Sequence, residues 1–393
     1  MHTILKRTWA EINLDKLKHN LQVIRQTAGV QTKIMAVIKA DGYGHGAVEL
    51  AKTYEKNGVD WFAVSNLDEA LQLRRNHIRL PILILGFTPV ECVAVLAREN
   101  ISQTILNKEY GKALSTSAEK ANVNVKTHIK IDTGMSRIGF YYHDIQRDKN
   151  AVTEIAEVCS LPGLMPEGAF MHFASADEGA GGREYTEHQF SLFSDILNQL
   201  EQQGIRFPIR HCCNSAAIID YPDFHLDLVR PGIILYGLAP SPLLKGAIDI
   251  TPVMELKSIV SLVKNIPAET PVSYGRTYVT QQAKRIATIP IGYADGYPRL
   301  LSGKADVLIC GKRAQITGRV CMDQLMVDVT EIPQAEEGCI VTLIGKDGDD
   351  EITLDELAEL TGTINYELAC NISKRVPRVY LENGQIIENI CYI

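Results

Sequence analysis

Lys39 stands at the end of an apolar run, Ile34-Met-Ala-Val-Ile38, and ahead of Ala-Asp-Gly-Tyr-Gly-His-Gly46. The run reads as a buried strand that delivers an amine to its C-terminal tip, followed by a glycine-rich loop and a helix from Ala47. An amine in a partly dry pocket is biased toward its neutral form, and neutral amines condense with carbonyl groups to imines. Other reactive side chains recur after short apolar runs: Arg137 in Asp132-Thr-Gly-Met-Ser-Arg-Ile-Gly139, His172 in Phe170-Met-His, His211 ahead of Asn214-Ser215, and Arg230 in Val229-Arg-Pro-Gly-Ile233. Amine, guanidinium, imidazole and hydroxyl groups on strand tips argue for a site. An imine-forming lysine on an α/β scaffold points to pyridoxal phosphate or an aldolase-type Schiff base.

The elements that position these groups follow from the apolar periodicity. Eight runs read as strands: Ile34–Ile38, Trp61–Val64, Ile82–Leu85, Gln103–Leu106, Thr127–Ile131, Gly168–Met171, Ile209–Cys213 and Asp227–Arg230. Helical patterns lie between them, among them Ala47–Asn57, Leu67–Asn76, Pro89–Asn100 and Glu187–Gln203, and an earlier helix, Leu14–Gln26, has Asn13 as its N-cap. The strands are continuous apolar runs, as expected of parallel strands covered on both faces. The fold class is therefore α/β, a (β/α)₈ TIM-type barrel, with a doubly wound open sheet as the structural alternative. After about Pro240 the texture changes to short β-branched runs separated by turns, such as Leu256–Lys264, Ala314–Val320 and Cys339–Ile344, with one late helix, Thr353–Leu360. This predicts a mostly β C-terminal domain. Asp347-Gly-Asp-Asp350 lacks the alternating ligands and closing Glu of a calcium loop and reads as a hairpin turn.

Bulk properties narrow the function classes. The chain has 393 residues, 46% hydrophobic and 22% charged, with a formal net charge of -7. No basic surface invites nucleic acid, and no apolar run approaches a membrane span. The beginning of the chain lacks a signal-like stretch, and the nine cysteines include no C-x-x-C pair, so a cytoplasmic location with reduced thiols is expected. No metal site is expected. Gly42, Gly44 and Gly46 imitate a dinucleotide loop, yet no acidic residue ends the next strand.

The chain resembles the pyridoxal phosphate (PLP)-dependent alanine racemases from end to end. The resemblance is carried by Ala36-Val-Ile-Lys-Ala-Asp-Gly-Tyr-Gly-His-Gly46, Lys130-Ile-Asp-Thr-Gly-Met-Ser-Arg-Ile-Gly-Phe140, Val229-Arg-Pro-Gly-Ile233, Val272-Ser-Tyr-Gly-Arg276, Pro290-Ile-Gly-Tyr-Ala-Asp-Gly-Tyr297, Gly318-Arg-Val-Cys-Met-Asp323 and Thr363-Ile-Asn-Tyr-Glu367. It implies an N-terminal strand (1–12) that joins the β domain, a PLP-binding barrel (13–240) and a C-terminal β domain (246–393). It also implies interconversion of L- and D-alanine, supplying D-alanine for peptidoglycan, in a head-to-tail homodimer with shared active sites. Racemisation needs a proton donor on each face of a planar centre. The resemblance places Lys39 on one face and Tyr274 of the partner subunit on the other.

The same resemblance gives the remaining roles. Arg230 faces the cofactor ring nitrogen, and His172 orients Arg230 or packs on the cofactor. Ser215, the amides of Gly232 and Ile233, and the hydroxyls of Tyr43 and Tyr366 hold the phosphate. Arg137 and the partner's Met322 meet the substrate carboxylate. In some relatives the lysine matching Lys130 is carbamylated. Tyr293 and Asp177 line the entrance, Cys321 is a packed thiol near the site, and Arg299 and Arg378 read equally well as ion-pair residues. His45 and His211 read as structural hydrogen-bonders. Cys212-Cys213 departs from the small or apolar residues expected before Asn-Ser. The alternatives are a racemase of serine or broader range, a barrel-type PLP decarboxylase, against which Arg230 argues, and a non-catalytic PLP-carrier barrel, against which the extra domain argues.

Overall fold

The computed structural model describes residues 7–392. These form two compact units, one comprising Lys18–Gly42 and Ala47–Thr251, the other comprising the chain up to Leu17, Tyr43–Gly46 and everything from Pro252. The expected N-terminal strand lies partly outside the described residues, which begin at Arg7.

In chain order the first strands are β1 (Thr8–Asn13), β2 (Lys33–Val37), β3 (Trp61–Val64), β4 (Ile82–Ile84), β5 (Ile101–Ile105), β6 (Val125–Asp132), β7 (Phe140–Tyr141), β8 (Leu164–Phe170), β9 (Ile209–His211) and β10 (Leu228–Val229). Eight of them pair in parallel in the order β10-β2-β3-β4-β5-β6-β8-β9. The ring closes through two backbone bonds between the β9 and β10 segments, Asp227 N–H to Arg210 O (3.2 Å) and Arg230 N–H to Cys213 O (3.0 Å). It is a (β/α)₈ barrel rather than an open sheet. β3, β4 and β2 after Lys33 are apolar because both faces are covered: Ile34, Met35, Ala36, Phe62, Ala63, Ile82, Leu83 and Ile84 are all fully buried. Four helices start where an asparagine side chain satisfies their first amides. Asn13 Oδ1 accepts from Asp15 and Lys16 N–H, and Asn66, Asn107 and Asn214 cap the helices Leu67–Arg75, Lys108–Ala121 and Ser215–Asp220.

Several boundaries differ from the periodicity reading. The run at 89–100 splits into a 3₁₀ turn (Val90–Cys92) and a short helix (Val93–Arg98). β5 begins two residues earlier than expected and β8 four residues earlier, and β7 was not anticipated.

In the second unit, β1 lies between Met254–Ile259, antiparallel, and Arg378–Glu382, parallel. The sheet extends outward through Ile340–Asp347, Asp306–Ile309 and Lys312–Gln315 on one side and Gln385–Ile390 on the other. Leu262–Ile266, Lys284–Ile289 and Leu325–Asp328 form a smaller sheet. The expected strand 256–264 is two strands, broken where Ser261 turns its N–H and hydroxyl onto Thr288 O. Residues 347–350 form a tight hairpin, with Asp347 paired to Asp350. A second late helix, Asn365–Asn371, follows Leu354–Thr361.

Candidate active site

Parallel strands aim their C-terminal tips at one rim of the barrel, and the reactive side chains of the first unit collect there. Lys39 follows β2 directly and is half-buried. The chain after it turns through three residues in the left-handed region, Ala40 (φ 53°), Asp41 (φ 52°) and Gly42 (φ 63°). Two of these are not glycine, which costs roughly 1–2 kcal/mol each. Side chains fix the turn: Asp41 Oδ1 accepts from Ala47 N–H (2.9 Å) and Glu69 Oε1 from Ala40 N–H (2.8 Å). Backbone strain concentrated beside one lysine is what an over-determined functional position looks like.

Arg230 follows β10 and is 4% exposed. Its guanidinium donates to Met171 O and Cys212 O (both 2.8 Å), His211 Nδ1 (3.0 Å) and His172 Nδ1 (3.3 Å). Its hydrogen-bond partners are carbonyls and imidazoles, with no carboxylate among them. Burial pushes it down to about 10. The imidazoles of His211 and His172 are driven well below their ordinary range, first by burial and then by the Arg230 charge. Lys130, at the end of β6, is buried, donates to Ile131 O (2.8 Å), and is pushed down to about 7 by burial and by Arg230 and Arg137, against the pull of Asp132. Arg137 is exposed on a loop that Asp132 Oδ1 pins by accepting from Gly134 N–H (3.1 Å) and Ser136 N–H (3.0 Å). Lys39, Lys130, Arg137 and Arg230 all press on His172. All four therefore lie within electrostatic reach of His172 and make the rim strongly cationic.

Ser215 is buried and its hydroxyl accepts from Gly232 N–H (2.9 Å), so two of the three expected phosphate contacts from this unit are joined already; Ile233 is next in the chain and buried. Cys212 and Cys213 are buried with sulfurs 4.0 Å apart, both donating to Phe224 O. They are held as thiols, and burial pushes the Cys213 thiol well up. The rim has the donor set for a phosphorylated, carbonyl-bearing cofactor: an amine, a hydroxyl, backbone amides and two guanidinium groups.

The second unit carries the other expected residues. Tyr43 and Tyr366 have ring centroids 6.2 Å apart, and burial raises the Tyr43 phenol far above its ordinary value. Tyr274 is 71% exposed on a turn with positive φ at Ser273, Gly275 and Arg276. Ser273 Oγ donates to Arg319 O (2.6 Å) and contacts Cys321 Sγ (3.5 Å), which ties this turn to the segment bearing Met322, 53% exposed. Tyr293 N–H donates to Cys321 O (3.0 Å), so Tyr293 joins the same surface. Asp177, in the barrel unit, is half-buried, and Arg299 is exposed.

Arg378 is a carbonyl-binding residue of the core. It is fully buried and donates to the carbonyls of Gly44, Ile372, Ser373 and Val376. This also explains the glycine loop without any dinucleotide. A Cβ at Gly44 would lie 2.2 Å from Ala369 O, and one at Gly46 1.8 Å from Tyr380 Oη. Buried Asp295 forms an ion pair with the half-exposed Arg7, at 2.7 Å, which sequence reasoning missed although Asp295 closes the Tyr293 turn by accepting from Gly292 N–H. The other residues missed are His128, in a strand that read as ordinary core, and Glu167, which lies just ahead of the expected strand Gly168–Met171.

The comparisons with known proteins agree with this division. The sequence model described as alanine racemase, N-terminal domain, matches residues 12–240, and that of the alanine racemase C-terminal domain matches 253–380. Alanine racemase of Methanococcus maripaludis is 46% identical over 95% of this chain and 98% of its own, and that of Desulfovibrio desulfuricans is 48% identical over the same shares. Alanine racemase of Clostridium difficile superposes with a TM-score of 0.93 at 42% identity, covering 100% of both chains. That of Bacillus anthracis with bound L-Ala-P superposes at 0.93 and 36% identity, covering 100% of this chain and 99% of the other. A carboxylate-free buried arginine and a strained lysine turn on a barrel rim, with full-length likeness to these enzymes, place the chain in the alanine racemase family.

Proposed function

We propose that this protein interconverts L- and D-alanine with pyridoxal 5'-phosphate as cofactor, using Lys39 and the partner subunit's Tyr274 as its two bases. The observation that carries the reading is Arg230, a buried guanidinium whose hydrogen-bond partners include no carboxylate. When bound, the cofactor supplies the electron sink that makes the α-proton of an amino acid removable. Arg230 donates but never accepts, so it leaves the ring nitrogen unprotonated and moderates that sink. Ser215 Oγ and the amides of Gly232 and Ile233 hold the phosphate, with the hydroxyls of Tyr43 and Tyr366. Arg137 binds the substrate carboxylate, helped by the Met322 amide of the partner subunit. Lys39 takes the proton on one face; the tyrosine serves the other.

A tyrosine acting as a base needs a partner cation, since its reference pKa is about 10. In its own unit Tyr274 is exposed beside Met322 and Tyr293, which supports a head-to-tail homodimer in which each subunit completes the other's site. No helix among the described residues is long and apolar enough to cross a membrane. The D-alanine formed would supply peptidoglycan synthesis.

The test is incubation of the PLP-loaded protein with L-alanine in heavy water. Optical inversion with α-deuterium incorporation is expected. Release of carbon dioxide would favour decarboxylation, and absence of exchange would leave a carrier. Tyr274→Phe is expected to slow turnover from L-alanine while PLP binding persists; equal loss of both would contradict its role.

A further inference from the structure

Arg230 is the start of a polar chain that runs back into the barrel. Its Nη1 donates to His211 Nδ1 at 3.0 Å. A guanidinium cannot accept, so Nδ1 of His211 carries no proton and its Nε2 must carry one. That Nε2 lies 2.9 Å from His128 Nδ1, which therefore accepts and leaves the His128 proton on Nε2. His128 Nε2 is buried with no other partner and faces Glu167 Oε1 at 3.5 Å, a long contact. Glu167 Oε1 also accepts from the Ser102 hydroxyl, and the carboxylate has 21% of its surface exposed.

The packing is built around this chain. A Cβ on residue 168 would sit 2.3 Å from His128 Nδ1, so Gly168 of β8 is the one residue type that admits the ring in place. Phe170 stacks on His211 with centroids 4.8 Å apart, and Trp61 meets His128 edge-on at 5.4 Å. Two fully buried imidazoles in a barrel core are otherwise costly, and each polar atom left without a partner is costlier.

We propose that Arg230, His211, His128 and Glu167 form a directional relay through the barrel, in which Glu167 fixes both histidines as neutral Nε2–H tautomers and provides the counter-charge for Arg230. Glu167 and His128 are thus positioning residues. The tautomers rest on geometry alone, whereas the effect on catalysis rests on the racemase reading above. The charges facing the chain are consistent with it. Burial holds His128 down against the pull of Glu167, while the nearby His128 ring and the Ser102 hydroxyl hold Glu167 below its ordinary range despite its burial.

The test uses the full-length protein with ¹⁵N-labelled histidine, with and without PLP, as wild type and as Glu167→Gln. Both His128 and His211 are expected to be protonated at Nε2 and bare at Nδ1. In Glu167→Gln the ring resonances of His211, which does not touch residue 167, are expected to move together with those of His128. With alanine as substrate, kcat of the variant falls about tenfold while KM holds. A proton on Nδ1 of either ring, or His211 resonances unmoved by the substitution, overturns the relay whatever the activity. Unchanged kcat in a variant whose resonances do move overturns its catalytic role. A wild type that does not racemise alanine fails the functional reading and leaves the tautomer measurement standing.

Discussion

Arg230→Lys isolates the cost of holding a cation in the barrel without a carboxylate. Burial takes the Arg230 guanidinium from its ordinary value down to about 10, which corresponds to about 3 kcal/mol of disfavoured charge. For arginine that cost is constant across any practical pH, because the guanidinium stays charged. A lysine at the same depth starts from about 10.4 and, penalised equally, loses its proton near pH ~8. The sign follows from linkage. Between pH ~8 and ~10 the unfolded variant binds a proton that the folded variant does not, so stability rises with pH, by up to about 3 kcal/mol. Below pH ~8 both states are protonated and the full penalty remains. Urea midpoints of variant and wild type at pH 7 and pH 9.5 give the comparison, with m-values checked for constancy. The variant is expected to gain relative to wild type on going to the higher pH. A difference independent of pH would refute the argument that burial, rather than the loss of four directed hydrogen bonds, dominates at this position.

Further outcomes follow from the same geometry. Lys130 is pushed down to about 7, so in carbon-dioxide-free buffer stability should rise from pH 7 to pH 9 by a contribution missing in Lys130→Met; equal slopes would contradict it. Mixing Lys39→Ala with Tyr274→Phe subunits under conditions of exchange should restore about a quarter of wild-type activity, since half the dimers are hybrids with one intact site each. No recovery would confine both bases to one subunit. Gly46→Ala, with φ +92° and a Cβ 1.8 Å from Tyr380 Oη, should cost about 2–4 kcal/mol in thermal or urea unfolding. Tyr380→Phe in the same chain should return part of that loss, and strict additivity would show that the hydroxyl is not the obstacle.

The barrel was legible because parallel strands covered on both faces are written as unbroken apolar runs. β3 lies where its run predicted, at Trp61–Val64. The reading slipped where the barrel interior is polar. β5, Ile-Ser-Gln-Thr-Ile, is buried along its length, yet its middle three residues donate internally: Ser102 to Glu167, Gln103 to Gly86 O and Thr104 to Ile84 O. β8 hides Pro166, Glu167 and Gly168 in its centre, three residues that signal a turn when read locally. The late helix Asn365–Asn371 lacks a side-chain N-cap and so carried no start signal. Lys39, Arg230 and Ser215 were readable as strand-tip chemistry. Arg378 was legible as a charge, but a sequence does not show the four carbonyls that converge on it. His128 was invisible because its meaning depends on a glycine forty residues away.

β1 has a further consequence, for synthesis rather than catalysis. Its neighbours in the sheet are Met254–Ile259 and Arg378–Glu382. It leaves the ribosome well ahead of its parallel partner, since Ala10 pairs with Arg378. At 5–20 residues per second the interval is roughly 20–70 s. Until Met254–Ile259 emerges, roughly two thirds of the way through that interval, Trp9, Ala10 and Ile12, all buried in the finished protein, are exposed on an unpaired strand. The barrel strands that follow can pair with neighbours close in sequence while the opening strand waits. Chaperone capture and misassembly between nascent chains should therefore centre on β1, and a substitution there would reduce yield before it touched the activity of molecules already folded.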